Sequence, residues 1–406
     1  MKLHSLCTGS KTTRFGANRA NGMAMRRWIT WLAYKASRDT TSGQFIAEID
    51  GLRFIAIFSV VLFHLNWFIT SKTGRAEGAD LLSEFLSHGH IGVQLFFLIS
   101  GFVIALPFAK GHLLNGRLPN LRQYIFRRLT RLEPPYIVNL LIRFALLTLA
   151  TADTFSELLP HLLASMGYLH NIIYGSMSKI NFVAWSLEIE LQFYLLAPLA
   201  TSLFMIRSKA ARRLLLVALI IIFTIIAYAL NGYPRVNLSI LSAAQYFLAG
   251  FLLVDIYLTE WNQNPAKAWH WDMVSVLAWS AIVALLYQEG GESFIVIPIF
   301  FAYVAAFKGV LSNRFFCQPV IYVIGGMCYT LYLYHYSVIS VISRLLIRVG
   351  FLNQLPVWLG IILAGLVIVP AVLLFGTIMF ILIEKPCMKK DWHIRLMERF
   401  KPGLQA

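Results

Sequence analysis

Residues 51–69 read GLRFIAIFSVVLFHLNWFI, and only Arg53 and His64 among them carry an ionisable side chain. As a helix this run rises about 29 Å, close to the ~30 Å of a bilayer's hydrocarbon. Outward from it, apolar runs recur near 91–108, 134–151, 182–205, 213–231, 238–258, 271–288, 293–308, 321–347 and 355–383. With the first at 52–70, ten spans are expected. Composition agrees, because 58% of the 406 residues are hydrophobic and 13% charged, whereas a soluble domain carries about 25% charged residues. Too little polar side chain exists to cover a soluble core of this size. The expected fold is therefore all-α, a polytopic integral membrane protein with about ten transmembrane helices. A disulfide-stapled domain is excluded as well, since Cys7, Cys317, Cys328 and Cys387 are scattered without a framework.

The net charge of +16 raises the question of nucleic acid, and its distribution answers it. With the N-terminal tail in the cytoplasm, alternate loops and the C-terminal tail place 27 of the 35 lysines and arginines on that side. This asymmetry is the positive-inside pattern, with both termini cytoplasmic. It accounts for the basic charge without a nucleic-acid partner. Residues 1–45 form a basic, polar lead-in without the apolar core of a signal peptide, expected to be poorly ordered. Residues 46–386 would be the transmembrane domain and 387–406 a short cytoplasmic tail. The longest external segment, about 152–181, is mildly apolar and is expected to lie on or dip into the outer surface.

Ionisable groups inside apolar helices are costly, so each marks a candidate site. Arg53 and His64 stand eleven positions apart, which returns to nearly the same azimuth about 16 Å further along a helix. Ile57 and Val60 lie between them on that face. Alone, Arg53 also reads as an anchor and His64 as a packing residue. Arg128 and Arg131 precede the third span and face the same way. With Pro134 suited to a first helical turn, they would flank a helix N-terminus, a ready place for phosphate oxygens. The fourth span opens Trp185-Ser-Leu-Glu188-Ile-Glu190-Leu-Gln-Phe-Tyr194. Its two carboxylates diverge by about 200°, so at most one should face a cavity containing His64. Tyr194 sits one turn beyond Glu190 on the same face. His335 lies in the ninth span, and depth counting puts it in the outer half with His64 and Glu190, as one polar cavity would require. Glu384, at the end of the tenth, reads as a cytoplasmic cap or anchor. The ten histidines are dispersed and no metal ligand set is expected.

These residues resemble the membrane-bound acyltransferase-3 family. The likeness rests on Glu48-Ile-Asp50-Gly51-Leu52-Arg53 with the Arg-x10-His spacing to His64, and on Gly92 to Phe102, where the family usually has an acidic or small residue at Gln94. It continues through Arg128-x-x-Arg131, Trp185-Ser186-Leu187 running into Glu190 and Tyr194, Tyr332 to His335, and Glu384-Lys385-Pro386. The resemblance implies a multi-pass protein of the inner or plasma membrane that moves an acyl group from cytoplasmic acyl-CoA to a hydroxyl beyond the membrane. Acetyl is the default acyl group, and the acceptor would be a glycan or lipid-linked saccharide. Arg128, Arg131 and Arg53 would hold the donor, and Arg53 alternatively pairs with Asp50. His64 would serve as general base or acyl relay, Glu190 would orient its imidazole, and Trp185, Tyr194 and His335 would contact substrate. Some family members carry an appended soluble hydrolase-like domain. This sequence ends about twenty residues after Glu384, so a separate glycan-modifying protein is the expected alternative partner. The reading from another class is an exporter of a lipid or solute with a His/Glu proton pathway, which broken helices in corresponding halves would favour.

Overall fold

The computed structural model describes residues 45–388 other than 77, 151, 152, 351 and 353, together with Trp392. Nearly all of the N-terminal lead-in and most of the C-terminal tail lie outside the described residues. Ten apolar helices follow one another: α1 (Ala47–Lys72), α2 (Gly92–Leu113), α3 (Leu121–Ala150), α4 (Trp185–Ala200), α5 (Lys209–Ala229), α6 (Ala244–Thr259), α7 (His270–Leu286), α8 (Val296–Lys308), α9 (Cys328–Arg348) and α10 (Val357–Met379). The protein is an all-α polytopic membrane protein, with no strand among the described residues. Taken with their short flanking turns, seven of these helices are long and apolar enough to span a bilayer, while α6, α7 and α8 are shorter.

Three expected boundaries move, each for a local reason. The third span begins at Leu121, where the Asn120 side chain accepts from the Gln123 backbone amide at 3.1 Å. Pro134 and Pro135 therefore sit inside the helix, and Arg128 and Arg131 lie beyond its first turn rather than beside an N-terminus. The ninth span is divided into Pro319–Gly326 and α9, and its Gly325-Gly326 pair lies next to the break. The eighth opens with a 3₁₀ turn, Gly291–Phe294, before α8 begins.

Helix α1 is the wall shared by two apolar cores. Ile49, Leu52, Ala56 and Val60, spaced three and four apart, belong to the core built with α2, α6 and α8. Ile57, Val61, Leu65 and Phe68 belong to the core built with α3, α9 and α10. Arg53 and His64 run along the seam between these stripes. Lipid is as apolar as leucine, so close backbone approach has to supply much of the association between helices. Gly250 lets α6 meet α2, and a Cβ there would lie 2.4 Å from the Leu98 carbonyl oxygen. Gly325 lets the short helix meet α1, since a Cβ would lie 1.7 Å from the Asp50 carbonyl oxygen. Gly250→Ala and Gly325→Ala should each cost about 1–3 kcal/mol or more by overpacking, read as a lower melting temperature in detergent. Gly365→Ala is the control, because its Cβ would meet only Leu65 Cδ2 at an ordinary 3.5 Å.

The segment 153–181 is docked against the helices rather than loose. Helix Phe155–Met166 starts at a capping box of Thr154 and Glu157. Tyr136 of α3 donates to the Ser165 carbonyl at 3.1 Å, and Asn181 donates to Asn139 at 2.7 Å. On the other side of the molecule, a buried ion cluster ties α5 to α6. Arg212 and Asp255 are both buried and hydrogen-bonded, and Arg213 Nε donates to the second Asp255 oxygen at 2.8 Å.

Candidate active site

Helices α1, α2, α3 and α4 surround a cavity into which Arg53, Ser100, Arg128, Arg131, Glu190 and Tyr194 project, closed on the α9 side by Tyr332. Arg53 is 8% exposed, and its guanidinium donates to Asp50 one turn earlier, so this buried cation has its counter-charge on its own helix. Arg128 and Arg131, three apart on α3, reach the same cavity as helical spacing requires. The Arg128 guanidinium lies 5.5 Å from the Tyr194 ring centre and 5.9 Å from that of Tyr124. Arg131 stands 3.6 Å from Glu384.

Glu384 is a buried cap of α9 and not an exposed anchor. Residues Phe380–Glu384 form a π-turn after α10, and such widened turns reorient the side chains that follow. Its carboxylate is fully buried and accepts from the Thr330 hydroxyl and, at 3.2 Å, from the Thr330 amide. Thr330 lies in the first turn of α9, so this carboxylate caps that helix, and its burial excludes a surface anchor.

The two carboxylates of α4 diverge as their two-residue spacing demands. Glu188 is buried and accepts from the Asn171 backbone amide at 2.7 Å, fastening the segment 153–181. Glu190 faces the cavity, where it accepts from Ser100 at 2.9 Å and from the Tyr194 hydroxyl. Neither partner is His64, and among the described residues the bonds of His64 go to Val60 and His335, so the expected orienting contact from Glu190 is not seen. Phe182, whose ring centre is 5.7 Å from that of His64, marks the level of the histidine. Glu190 lies eight residues further along the chain, about 12 Å deeper in a helix.

The partner of His64 is His335. Nε2 of His335 lies 3.1 Å from Nδ1 of His64, and that Nδ1 is also 3.0 Å from the Val60 carbonyl oxygen. Nδ1 of His335 lies 2.8 Å from the Tyr332 carbonyl oxygen and 3.2 Å from that of Leu331. His64 is 9% exposed and His335 is fully buried. Phe63, Phe182 and Tyr336 ring His64, with centres 4.8, 5.7 and 5.8 Å away. Neither histidine lines the arginine cavity. One layer of side chains separates them from it. The Tyr332 hydroxyl is bonded to Ser186 Oγ at 2.8 Å and to the Val183 carbonyl, and the Tyr332 ring is 6.1 Å from that of His335.

Trp185 does not line the cavity either. Its side chain packs, partly buried, against the first core, and its carbonyl accepts from Asn171 at 2.9 Å. Arg143 was a missed candidate with a readable signal, a cation in the middle of an apolar run. It donates to the Ile180 carbonyl at 2.6 Å and to Ser337 at 2.9 Å, and its guanidinium is 5.8 Å from the Tyr336 ring centre. Ser100 carried no such signal, since a serine in an apolar helix usually bonds its own backbone. In chemical terms, three guanidiniums suit the oxygens of phosphates, and a neutral imidazole at the far end suits proton transfer.

Residues 46–376 match the family described as an acyltransferase domain. A Staphylococcus aureus (strain COL) protein provisionally named an O-acetyltransferase is 26% identical over 375 residues, covering 86% of this chain and 58% of the relative. The O-acetyltransferase OatA of Staphylococcus aureus (strain NCTC 8325) is 24% identical over 386 residues, covering 88% of this chain and 60% of the relative. The chain thus spans less than two thirds of the length of these relatives. No solved structure matches it.

Proposed function

The chain belongs to the acyltransferase-3 family, and from that premise we propose that it transfers an acyl group, acetyl by analogy with its relatives, from cytoplasmic acyl-CoA to a hydroxyl of an extracytoplasmic glycan or lipid-linked saccharide. The observation that carries this reading is the ordering of groups along the seam of α1. The arginine cavity lies toward Arg53, the histidine pair lies toward His64, and the bonded Ser186 and Tyr332 stand between. The donor's phosphates pair with Arg128 and Arg131, and its extended arm runs along Ile57 and Val60. Arg53 is held by Asp50, so it offers its remaining N–H groups to the donor. The acceptor arrives from the opposite side, among the aromatic rings around His64. Movement of the Tyr332 side chain then joins the two spaces. Excess basic residues on one side place both termini in the cytoplasm, in the inner or plasma membrane. If the acyl group reaches the final glycan through a second step, a separate glycan-modifying protein completes it.

His64 acts as general base: it takes the hydroxyl proton as the acceptor oxygen attacks the thioester carbonyl, and the carbon–sulfur bond then breaks. The expected result in membranes supplied with acetyl-CoA is thiol release with ester-linked acetyl appearing on the glycan fraction. Arg128→Ala and Arg131→Ala should each raise KM for acetyl-CoA about tenfold with kcat little changed, because a guanidinium that holds a donor phosphate stabilises the bound donor and the transition state equally. Unchanged KM in both variants, or no acetyl transfer by the wild type, ends this assignment.

A further inference from the structure

The hydrogen-bond acceptors around the histidine pair fix where its protons sit. Nδ1 of His335 faces two carbonyl oxygens, at 2.8 and 3.2 Å. A carbonyl only accepts, so this Nδ1 carries the proton, and in the neutral ring Nε2 is then bare. That bare Nε2 lies 3.1 Å from Nδ1 of His64, which also stands 3.0 Å from the Val60 carbonyl. Both neighbours of His64 Nδ1 are acceptors, so it too is an N–H. The lone pair of His64 is left on Nε2, for which no hydrogen-bond partner is seen among the described residues.

From this we infer that His335 is a positioning residue for the transfer reaction. It holds His64 in the Nδ1–H tautomer, presents Nε2 as the proton acceptor, and steadies the imidazolium that forms. The inference rests on the reading of His64 as general base given above. While the hydroxyl proton resides on His64 Nε2, the Nδ1–H bond to His335 becomes charge-assisted and shortens. The acceptor oxygen forms its bond to the acyl carbon, the sulfur leaves with the electron pair, and His64 returns its proton to the thiolate. The sum is one ester and one free thiol, and His335 ends unchanged.

The role resembles that of the carboxylate in a hydrolase triad, filled by a neutral ring. A buried carboxylate would carry its own desolvation cost, which a neutral ring avoids. Other groups facing the pair fit this assignment. Arg143 of α3 is engaged by Ile180 and Ser337. From α9 itself come Tyr332, whose hydroxyl is bonded to Ser186 and Val183, and Tyr336, which faces His64 with its ring. The hydrogen bonds of the two imidazoles involve no carboxylate.

Two replacements separate positioning from space filling. The Gln side chain in His335→Gln has an oxygen that accepts from His64 Nδ1, whereas His335→Phe fills the volume and accepts nothing. In membranes supplied with acetyl-CoA, which carry the acceptor glycans, His335→Phe should lower kcat for thiol release by on the order of 10²-fold with KM unchanged, and His335→Gln should recover most of it. Nitrogen-15 NMR of histidine-labelled full-length protein should show a bare Nε2 and a protonated Nδ1 at His64 in wild type and His335→Gln, and in His335→Phe, where the Val60 carbonyl alone remains to hold the Nδ1 proton, a larger share of the Nε2–H tautomer. Equal losses in the two variants, or a protonated Nε2 at His64 in the wild type at neutral pH, overturn the inference. If the wild type releases no thiol, the transferase reading fails separately, and the spectrum still decides whether His335 sets the tautomer.

Discussion

Replacing His64 with asparagine is expected to lower acetyl-CoA-dependent acyl transfer by roughly 10²- to 10⁴-fold, the usual contribution of a general base. Asparagine is the informative choice because its amide nitrogen occupies the place of Nδ1. It can keep the bond to the Val60 carbonyl that His64 makes at 3.0 Å, while the atom that would accept the hydroxyl proton is gone. No neighbour can substitute. His335 has its Nδ1 committed to two carbonyls, and Glu190 is turned to Ser100 and Tyr194. Donor binding should survive, because Arg128 and Arg131 act in the cavity on the other side of Tyr332. The expected pattern is therefore a fall in kcat, an unchanged KM for acetyl-CoA and a melting temperature close to wild type. Full transfer by His64→Asn, in protein that melts normally, would show that this imidazole is not the base.

What was legible in the sequence follows from how far each feature reaches along the chain. The shared face of Arg53 and His64 is a property of one helix, so its periodicity suffices to place both on the seam of α1. The divergence of Glu188 and Glu190 is likewise local, and the two residues do face different partners. The pairing of His64 with His335 joins residues 271 positions apart, and depth counting alone could not choose between His335 and Glu190 as the neighbour. Depth failed for Glu190 because the chain enters this level at Phe182 and has descended more than two turns by position 190. The start of α3 was misplaced for an opposite reason. Residues 121–133 are too polar to read as membrane, and Pro134 looked like a beginning, yet a helix can run from a polar flank into lipid without interruption. Glu384 turned inward through a π-turn, a backbone event with no side-chain signature.

Asp255→Ala is expected to be the most destabilising single change outside the site, by about 3–5 kcal/mol, the cost of leaving a buried charge without its partner. Asp255 is fully buried near the end of α6, and Arg212 in the first turn of α5 is equally enclosed. Removing the carboxylate leaves the Arg212 guanidinium, among the described residues, the Ile206 carbonyl. Arg213 fares better, since it retains Glu260 at 2.8 Å near the surface. Arg212→Met combined with Asp255→Leu should recover much of the loss, because a buried ion pair and an apolar pair of similar volume are close to equal in stability. The consequence reaches the cavity through packing. α6 meets α2 at Gly250, and α2 carries Ser100 to Glu190, so a loosened α6 should reduce acyl transfer in the single variant and restore it in the double. Melting in detergent, with acyl transfer measured in membranes carrying the same variants, tests both halves. A single variant that melts with the wild type would mean the Arg212–Asp255 pair is open to water, and the α5–α6 contact would then have to be redrawn.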